Sequence, residues 1–285
     1  MIMSMTGFGK TETQWEDKNL SIEIRSLNSK NADINLRTPS YLREMDTEIR
    51  KRIAKQLYRG KIDLNIFIEF NGQNAPSTIN TAVVKSYMDQ LKTISDGSES
   101  EMMAIAMRLP DTLSSERETL QETEKEAIYT LIGQVLKDIE NYRTDEGNAL
   151  EKDFKKRLEL IENHLQSVIK IDPERNEKIE QKLRSALEDL KIEIDANRFE
   201  QELIFYLEKF DITEEKVRLK NHLEYFKEVM NNDFPNGKKL GFIAQELGRE
   251  INTIGSKANH AELQKIVVQM KDELEKIKEQ LLNVL

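Results

Sequence analysis

Hydrophobic residues near the C-terminus recur with the spacing of an α-helix. Between residues 238 and 258 they fall on one side at 100° per residue, which predicts a single helix with one buried face. This stripe consists of Leu240, Ile243, Leu247, Ile251, Ile254 and Ala258. Glycines recur at every seventh position on another line, at Gly241, Gly248 and Gly255. Because glycine costs ~0.5–1 kcal/mol relative to alanine inside a helix, this line predicts close approach of another backbone, from the preceding helix or from a neighbouring subunit.

A different pattern, alternation of apolar and polar residues, is typical of the N-terminal part of the chain. Such alternation predicts half-buried strands. Strands are predicted at residues 1–14, 20–27 and 61–69. A helix is predicted at residues 41–57, with Ser40 as its N-cap, after an extended segment at 34–37 that ends before Pro39. The expected order is therefore strand, strand, helix, strand.

Helical periodicity replaces this alternation after Gly72. Long helices are predicted at residues 116–143, 145–171 and 174–210, followed by helices on either side of residue 235 and a last one from about residue 261. Pro173 predicts a hairpin whose two helices pack as an antiparallel coiled coil. The pattern as a whole predicts an α+β fold. Its expected parts are an N-terminal α+β unit at 1–72, long antiparallel helices at 73–210, and a C-terminal helical domain at 211–285 that carries the candidate chemistry.

Composition narrows the functional classes. The chain has 285 residues, no cysteine and a formal net charge of −9. The absence of cysteine excludes disulfides and thiolate metal sites, and no apolar run approaches the roughly 20 residues that span a bilayer. We therefore expect a cytoplasmic protein without a membrane partner. The negative charge argues against broad adhesion to nucleic acid, but residues 37–61 carry a basic cluster that is either solvated surface or a local RNA-binding track.

Polar residues of two neighbouring predicted helices form the candidate site. On the segment 238–258 they lie within about 80° of one another, at Glu246, Arg249, Glu250, Thr253 and Lys257. The preceding helix places Glu215, Arg218 and His222 on one side, at spacings of three and four. Two interpretations fit these residues: an ion-pair ladder on a solvated face, or a site for a metal ion and a phosphate group.

Short motifs along nearly the whole chain carry a family resemblance. They are Ser4-Met-Thr-Gly-Phe-Gly9, Glu23 to Lys30, Arg59-Gly-Lys61, Glu146-Gly147 with Leu150 and Asp153, Glu214-Glu215 with Arg218, Leu219 and His222, Gln245-Glu246, Arg249-Glu250, Asn252-Thr253 and Ser256-Lys257. In this order the motifs resemble the YicC/YloC family of bacterial endoribonucleases. The resemblance implies a divalent-metal-dependent enzyme that cleaves RNA phosphodiester bonds, and a homo-oligomer, a hexamer that closes over RNA.

The resemblance and the chemistry of RNA cleavage together assign roles. Mg²⁺ or Mn²⁺ prefers carboxylate oxygen, and Mn²⁺ also accepts imidazole. The expected metal ligands are Glu215, Glu246, Glu250 and His222, with His222 as ligand or as general acid/base. Catalytic roles are expected for His222, Glu246, Glu250, Arg249 and Lys257. RNA contacts are expected from Arg25, Lys30, Arg50, Arg59, Lys61, Arg218, Asn252 and Ser256. We expect Trp15 to pack against its sheet, and His164 and His260 to be ordinary surface residues.

The chain departs from the family pattern at a few positions. Lys30 and Asn31 stand where the family often has arginine and an aromatic residue, and Gly248 stands where asparagine is common. Lysine keeps the positive charge but loses the bidentate fork of arginine. Two other functions remain open at this stage: an RNA-binding or adaptor ring without chemistry of its own, and a structural coiled-coil assembly. The sequence is compatible with either water or the RNA 2′-hydroxyl as the nucleophile.

Overall fold

The computed structural model describes residues 2–15, 18–70, 78–114, 120–189, 196–232 and 235–285. Two compact units are present. One comprises Met1–Gly7, Leu27–Lys30 and Glu140–Leu285, and the other comprises Phe8–Ser26 and Asn31–Ile139. The fold is α+β, as predicted, with one four-stranded sheet and long helices. The boundaries predicted at residues 72 and 210 stay predictions.

A four-stranded sheet forms the core of the second unit. Its strands are β1 (Gly7–Trp15), β2 (Lys18–Leu27), β3 (Ala32–Arg37) and β4 (Gly60–Phe70), in the spatial order β1-β2-β4-β3. The segment at 34–37, predicted only as extended, lies within β3 and pairs in parallel with β4, with Ile34 opposite Ile62. The predicted order therefore lacked one strand. Together β3, α1 (Asp46–Leu57) and β4 form a βαβ unit, because the helix α1 crosses over between these two parallel strands.

The helix after β3 does not begin as predicted. Ser40 is the first residue of a 3₁₀ helix (Ser40–Met45), Pro39 is its N-cap, and α1 starts only at Asp46. Leu42 and Met45 of this 3₁₀ helix are both buried. Trp15 packs against the same core, as predicted.

A small helical segment follows. It consists of β5 (Thr78–Ile79), α2 (Thr81–Lys92), α3 (Glu99–Ala106) and β6 (Leu113–Ser114), and β5 pairs with β6 in antiparallel orientation. Ser98 caps α3 through a capping box with Glu101. The predicted linker at residues 73–78 and the predicted helix start at Glu116 lie outside the described residues, apart from Thr78.

One helix, α4 (Glu122–Asp189), runs through both predicted breaks, near residue 144 and at Pro173. The predicted hairpin at Pro173 is wrong. Proline inside a helix costs about 3 kcal/mol, so other contacts must hold the helix on both sides. Asp172 and Arg175 supply them, because both are buried and Arg175 donates a hydrogen bond to the Phe210 carbonyl oxygen at 2.8 Å. The next helix, α5, spans Ala196–Phe210.

Three helices complete the first unit: α6 (Thr213–Asn231), α7 (Gly237–Lys257) and α8 (Ala261–Leu281). The prediction of one helix over residues 238–258 is confirmed. Its hydrophobic stripe is buried in one core with side chains of α4, α6 and α8. Within the described residues, no helix is long and apolar enough to cross a membrane.

The glycine line of α7 faces α8 rather than α6. A Cβ on Gly255 would lie 2.9 Å from Val267 Cγ1, and a Cβ on Gly248 would lie 3.3 Å from Leu274 Cδ2. Gly241 has no such neighbour within 4 Å. The closest neighbours at two of the three glycines are therefore side chains of the following helix and not the backbone of the preceding helix, and the approach of a neighbouring subunit stays a prediction.

The first and last residues of the chain pair with each other. The Met5 N–H donates to the Asn283 carbonyl at 2.7 Å, and the Leu285 N–H donates to the Met3 carbonyl at 3.0 Å. The Thr6 hydroxyl donates to the Glu146 carboxylate at 2.7 Å. The motifs at residues 4–9 and 146–147 thus contact each other, which gives part of them a structural role.

Candidate metal and RNA site

The helices α6 and α7 lie side by side in antiparallel orientation. Near one end of their interface, Glu215 of α6 pairs with Lys257 of α7 at 2.7 Å. Seven residues further along α6, His222 lies close to Glu250, which is seven residues before Lys257. At 1.5 Å per residue, these two places are roughly 10 Å apart. We call them the paired end and the cluster end of the α6–α7 interface.

The cluster end contains three groups that can bind a metal ion. Ligand atoms of His222, Glu246 and Glu250 all lie within 4.8 Å of one another. Around a Mg²⁺ or Mn²⁺ ion with bonds of about 2.1 Å, ligand atoms lie up to about 4.2 Å apart. Glu246 is exposed and His222 is half-buried, so a side-chain shift of about half an ångström is sterically open to them. Two carboxylates and one imidazole fit such an ion in chemistry and nearly in spacing.

Glu250 is the unusual member of this cluster. The residue is only 4% exposed, and no hydrogen bond or ion pair to its carboxylate is found among the described residues. Taking an ionised carboxylate out of water is costly unless a cation or hydrogen-bond donors replace the water. A buried acid beside a histidine and a second acid is therefore a place where a bound cation would lower the energy.

The ion-pair ladder does not account for this arrangement. Its one contact at the cluster end joins Arg249 Nη1 to Glu246 Oε2 at 3.8 Å, and the Arg249 side chain is 71% exposed. Exposed pairs of this kind contribute about 0–1 kcal/mol. Glu250 takes no part in the ladder among the described residues, so an ion-pair ladder does not explain its position beside His222 and Glu246.

The paired end does not join the cluster. Glu215 is buried, and its Oε1 accepts a hydrogen bond from Lys257 Nζ, which also donates to the Asp211 carbonyl at 3.0 Å. Glu215 Oε2 has no partner in the described part of the chain. The structure thus brings three of the four predicted ligands together and holds Glu215 and Lys257 about two helical turns away.

A buried network that sequence reasoning missed supports the paired end. Arg175 of α4 bonds Asp172 at 2.9 Å and the Lys257 carbonyl at 3.4 Å, and Lys216 pairs with Asp172 at 2.7 Å. These contacts join α4, α6 and the end of α7. The available sign was spacing, because Asp172 and Arg175 follow the buried Leu165 and Val168 of α4 at intervals of three and four residues.

The other predicted site residues on α6 and α7 lie on the surface. Arg218 pairs with Glu214 one turn earlier on α6. Asn252 is exposed, and the Ser256 hydroxyl donates to the Thr253 carbonyl at 3.0 Å. Among the other histidines, His260 is half-buried and its Nδ1 has no described partner, so it is not the ordinary surface residue we expected, and His164 is also half-buried.

The predicted RNA contacts of the N-terminal segments differ in their availability. Arg25 pairs with Glu23 at 2.6 Å and lies 5.5 Å from the centre of the Phe8 ring. Arg50 donates to the Ile34 carbonyl and thereby ties α1 to β3. Lys61 is exposed and Arg59 is half-buried. Lys30 is exposed and belongs to the same compact unit as α6, α7 and α8.

Comparison with known proteins identifies the family. The family description "Endoribonuclease YicC-like, N-terminal region" matches residues 2–152, and "Endoribonuclease YicC-like, C-terminal" matches residues 168–285. The chain belongs to the YicC-like endoribonuclease family. A relative from Clostridioides difficile strain 630, named "Probable endoribonuclease YicC", is 31% identical over 297 residues and covers 100% of both chains. Another of the same name, from Haemophilus influenzae strain KW20 / Rd, is 28% identical over 287 residues with the same coverage.

The YicC-like match places the cluster in context. The C-terminal match includes α6, α7 and α8, and hence His222, Glu246 and Glu250. The N-terminal match includes the whole sheet and the first part of α4. Both halves of the YicC-like family are thus present in one chain, and the candidate metal ligands all lie in the C-terminal one.

Proposed function

We propose that this chain is a divalent-metal-dependent endoribonuclease whose metal ion binds between α6 and α7. Glu246 and Glu250 hold the ion, either Mn²⁺ or Mg²⁺, and His222 is a third ligand or the group that transfers a proton. The observation that carries this proposal is the grouping of His222, Glu246 and the 4% exposed Glu250, whose ligand atoms all lie within 4.8 Å of one another. RNA as the substrate is supported by the family and by the names of the relatives.

Each side chain of the cluster end has a role in this proposal. A bound divalent ion supplies Lewis-acid stabilisation of a phosphoryl oxygen or a more acidic water. Glu250 sets the position of the site because it is buried. His222 has two ring nitrogens, so it serves as a ligand or moves a proton to or from the reacting oxygens. Arg249 and Arg218 are exposed, and they neutralise phosphate charge.

The proposal includes a closed homo-oligomer acting in the cytoplasm. Its support is the family resemblance, which implies a hexamer that closes over RNA. The helical unit would carry the chemistry, and the exposed cations Arg25, Lys30 and Lys61 would supply RNA contacts. Light scattering after size exclusion measures the mass of the assembly, and a mass equal to one chain would contradict this part of the proposal.

The direct test is cleavage of an end-labelled structured RNA in Mn²⁺, in Mg²⁺ and in excess chelator. We expect cleavage with a metal ion and none in chelator. Glu250→Gln removes a charge at nearly constant volume, and Glu279→Gln does the same at an exposed position of α8 and serves as the control. Calorimetric titration with Mn²⁺ gives an independent readout of binding. Cleavage that persists in chelator, or full Mn²⁺ binding by Glu250→Gln, would contradict the metal assignment.

The same experiment separates the alternative function. A ring that binds RNA without chemistry of its own would retain the labelled RNA in a gel-shift experiment and leave it intact with either metal. Sequencing the ends of cleaved RNA then distinguishes the nucleophiles. A 2′,3′-cyclic phosphate indicates attack by the 2′-hydroxyl, and a 3′-hydroxyl end indicates attack by water.

A further inference from the structure

Two exposed aromatic rings lie beside the cluster end of the α6–α7 interface. Phe242 of α7 is 57% exposed and precedes Glu246 by one helical turn. Tyr225 of α6 is 40% exposed and follows His222 by three residues. Side chains three or four residues apart share one side of a helix, so each ring lies on the same side of its helix as a member of the cluster. Phe242 is an apolar residue on the polar stripe of α7, where solvation alone does not explain it.

From this arrangement we infer that Tyr225 and Phe242 form a stacking surface for unpaired nucleobases of the RNA substrate, next to the site of cleavage. The inference rests on the proposed function and names the class of substrate: RNA whose nucleotides next to the cut are single-stranded. Duplex RNA keeps its bases stacked on each other, whereas unpaired bases are free to stack on aromatic side chains.

Lysine side chains accompany both rings. Lys239 Nζ lies 5.0 Å from the centre of the Tyr225 ring, and Lys238 Nζ lies 6.0 Å from that of Phe242. Neither lysine forms an ion pair with a carboxylate in the described ranges, so both ammonium groups are available to other anions. Ring faces for bases next to cations for phosphates are the combination that binds single-stranded nucleic acid.

This charge argues for RNA rather than a second copy of the chain on the same surface. The buried centre of a protein interface is depleted of charged residues, and lysine in particular is rare there. Covering Lys238 and Lys239 with an apolar protein surface would remove their hydration without replacing it. A nucleic-acid strand replaces that hydration with phosphate oxygens.

The spacing along α7 fits a strand that reaches the cluster. Phe242 and Glu246 are four residues apart, which is roughly 6 Å along the helix axis. Nucleotides in one strand of a duplex rise about 3.4 Å each, and an unstacked strand is more extended. A base on Phe242 would therefore lie one or two nucleotides from the phosphate at the cluster. Because every base offers a ring face, this surface would tolerate many sequences.

The test is equilibrium binding of fluorescein-labelled RNA by anisotropy, in excess chelator and at fixed salt. The probes are a single-stranded 12-mer and a hairpin-free duplex of the same length. We expect Phe242→Ala and Tyr225→Ala each to weaken binding of the single strand by about 5-fold or more, with little change for the duplex. Phe242→Trp and Tyr225→Phe keep a ring and should keep affinity within about 2-fold. Phe205→Ala, an equally exposed phenylalanine on α5 at 60%, is the matched control.

Three outcomes would overturn the inference. One is unchanged single-strand binding by both alanine variants. Another is an equal loss for single strand and duplex. The third is a smaller assembly mass for Phe242→Ala, since this would show that the ring contacts another copy. Binding is measured without metal, so failure of the proposed cleavage does not affect this readout. Mn²⁺ titration of Phe242→Ala should match wild type, which separates loss of stacking from loss of the metal site.

Discussion

The two ends of the α6–α7 interface contain similar residues in different states. At the paired end, Glu215 is buried and bonded to Lys257, which in turn bonds the Asp211 carbonyl. At the cluster end, Glu250 is equally buried, but its carboxylate has no described partner. The charge of Glu215 is balanced by Lys257 within the protein, so we assign Glu215 a structural role. In our proposal Glu250, which lacks such a partner and lies next to His222 and Glu246, binds a cation from solution. The difference shows that burial alone does not mark a candidate site, because what separates Glu250 from Glu215 is its grouping with two other possible ligands.

The largest expected effect is on RNA cleavage, which should depend on the cluster end much more than on the paired end. Glu250→Gln should lower RNA cleavage by about 10²–10³-fold, as is typical when one electrostatic group of an active site is lost. Its free energy of unfolding in chelator should stay equal or rise, because a buried charge without a partner is removed. The measurements are single-turnover cleavage and urea unfolding. If Glu250→Gln is both active and less stable, Glu250 is a structural acid and the comparison fails.

The next largest effect is the stabilisation of the folded protein by bound Mn²⁺, which should depend on the cluster end. A ligand at 100 times its Kd stabilises the folded state by about 2.7 kcal/mol. We expect Mn²⁺ to raise the thermal unfolding temperature of the wild type and of Glu215→Gln, but not of Glu250→Gln. Differential scanning fluorimetry with a Mn²⁺ series measures this. Loss of the Mn²⁺ response in Glu215→Gln would return Glu215 to the set of ligands.

A substitution at the paired end should lower stability and leave cleavage nearly unchanged, which is the reverse of the expected effect of Glu250→Gln. Glu215→Gln replaces the charged partner of Lys257 with a neutral acceptor, and we expect a loss of about 1–2 kcal/mol in the free energy of unfolding. This is less than for a fully buried pair, because the Lys257 side chain is about one-third exposed. Cleavage per folded molecule should stay within about 3-fold of wild type. A stable but inactive Glu215→Gln would show that Glu215 acts in catalysis after all.

The smallest effect is a dependence of stability on pH at the paired end. The Thr213 hydroxyl, and then the charges of Lys216 and Lys257, lower the pKa of Asp211 below its ordinary value of 3.8. A lowered folded-state pKa stabilises the protein above pH 3.8, and this contribution is lost as the pH falls further. Asp211→Asn should therefore reduce the slope of unfolding temperature against pH below about pH 4 and leave it unchanged near neutrality. An equal slope in wild type and variant would show that Asp211 contributes nothing to it.

Local patterns predicted much of the secondary structure and missed where tertiary contacts override them. The apolar stripe at 238–258 predicted α7 to within one residue at each end, because its period is strong and uninterrupted. Pro173 predicted a break that does not occur, since the buried contacts of Asp172 and Arg175 hold α4 on both sides. The third strand was missed because the short segment 34–37 becomes a strand only through its pairing with β4.

Sequence patterns predicted the residues of the candidate site but not which of them lie next to one another. Helical spacing alone determined that Glu246 and Glu250 share a face of α7, and that Glu215 and His222 share a side of α6. Only the tertiary structure decided which residue of α6 lies next to which residue of α7. The antiparallel register of α6 and α7 brings Glu215 to Lys257 and His222 to Glu250, and this register depends on packing. Spacing along a helix fixes direction around its axis, whereas the position of one helix along another is set by contacts between residues far apart in the chain.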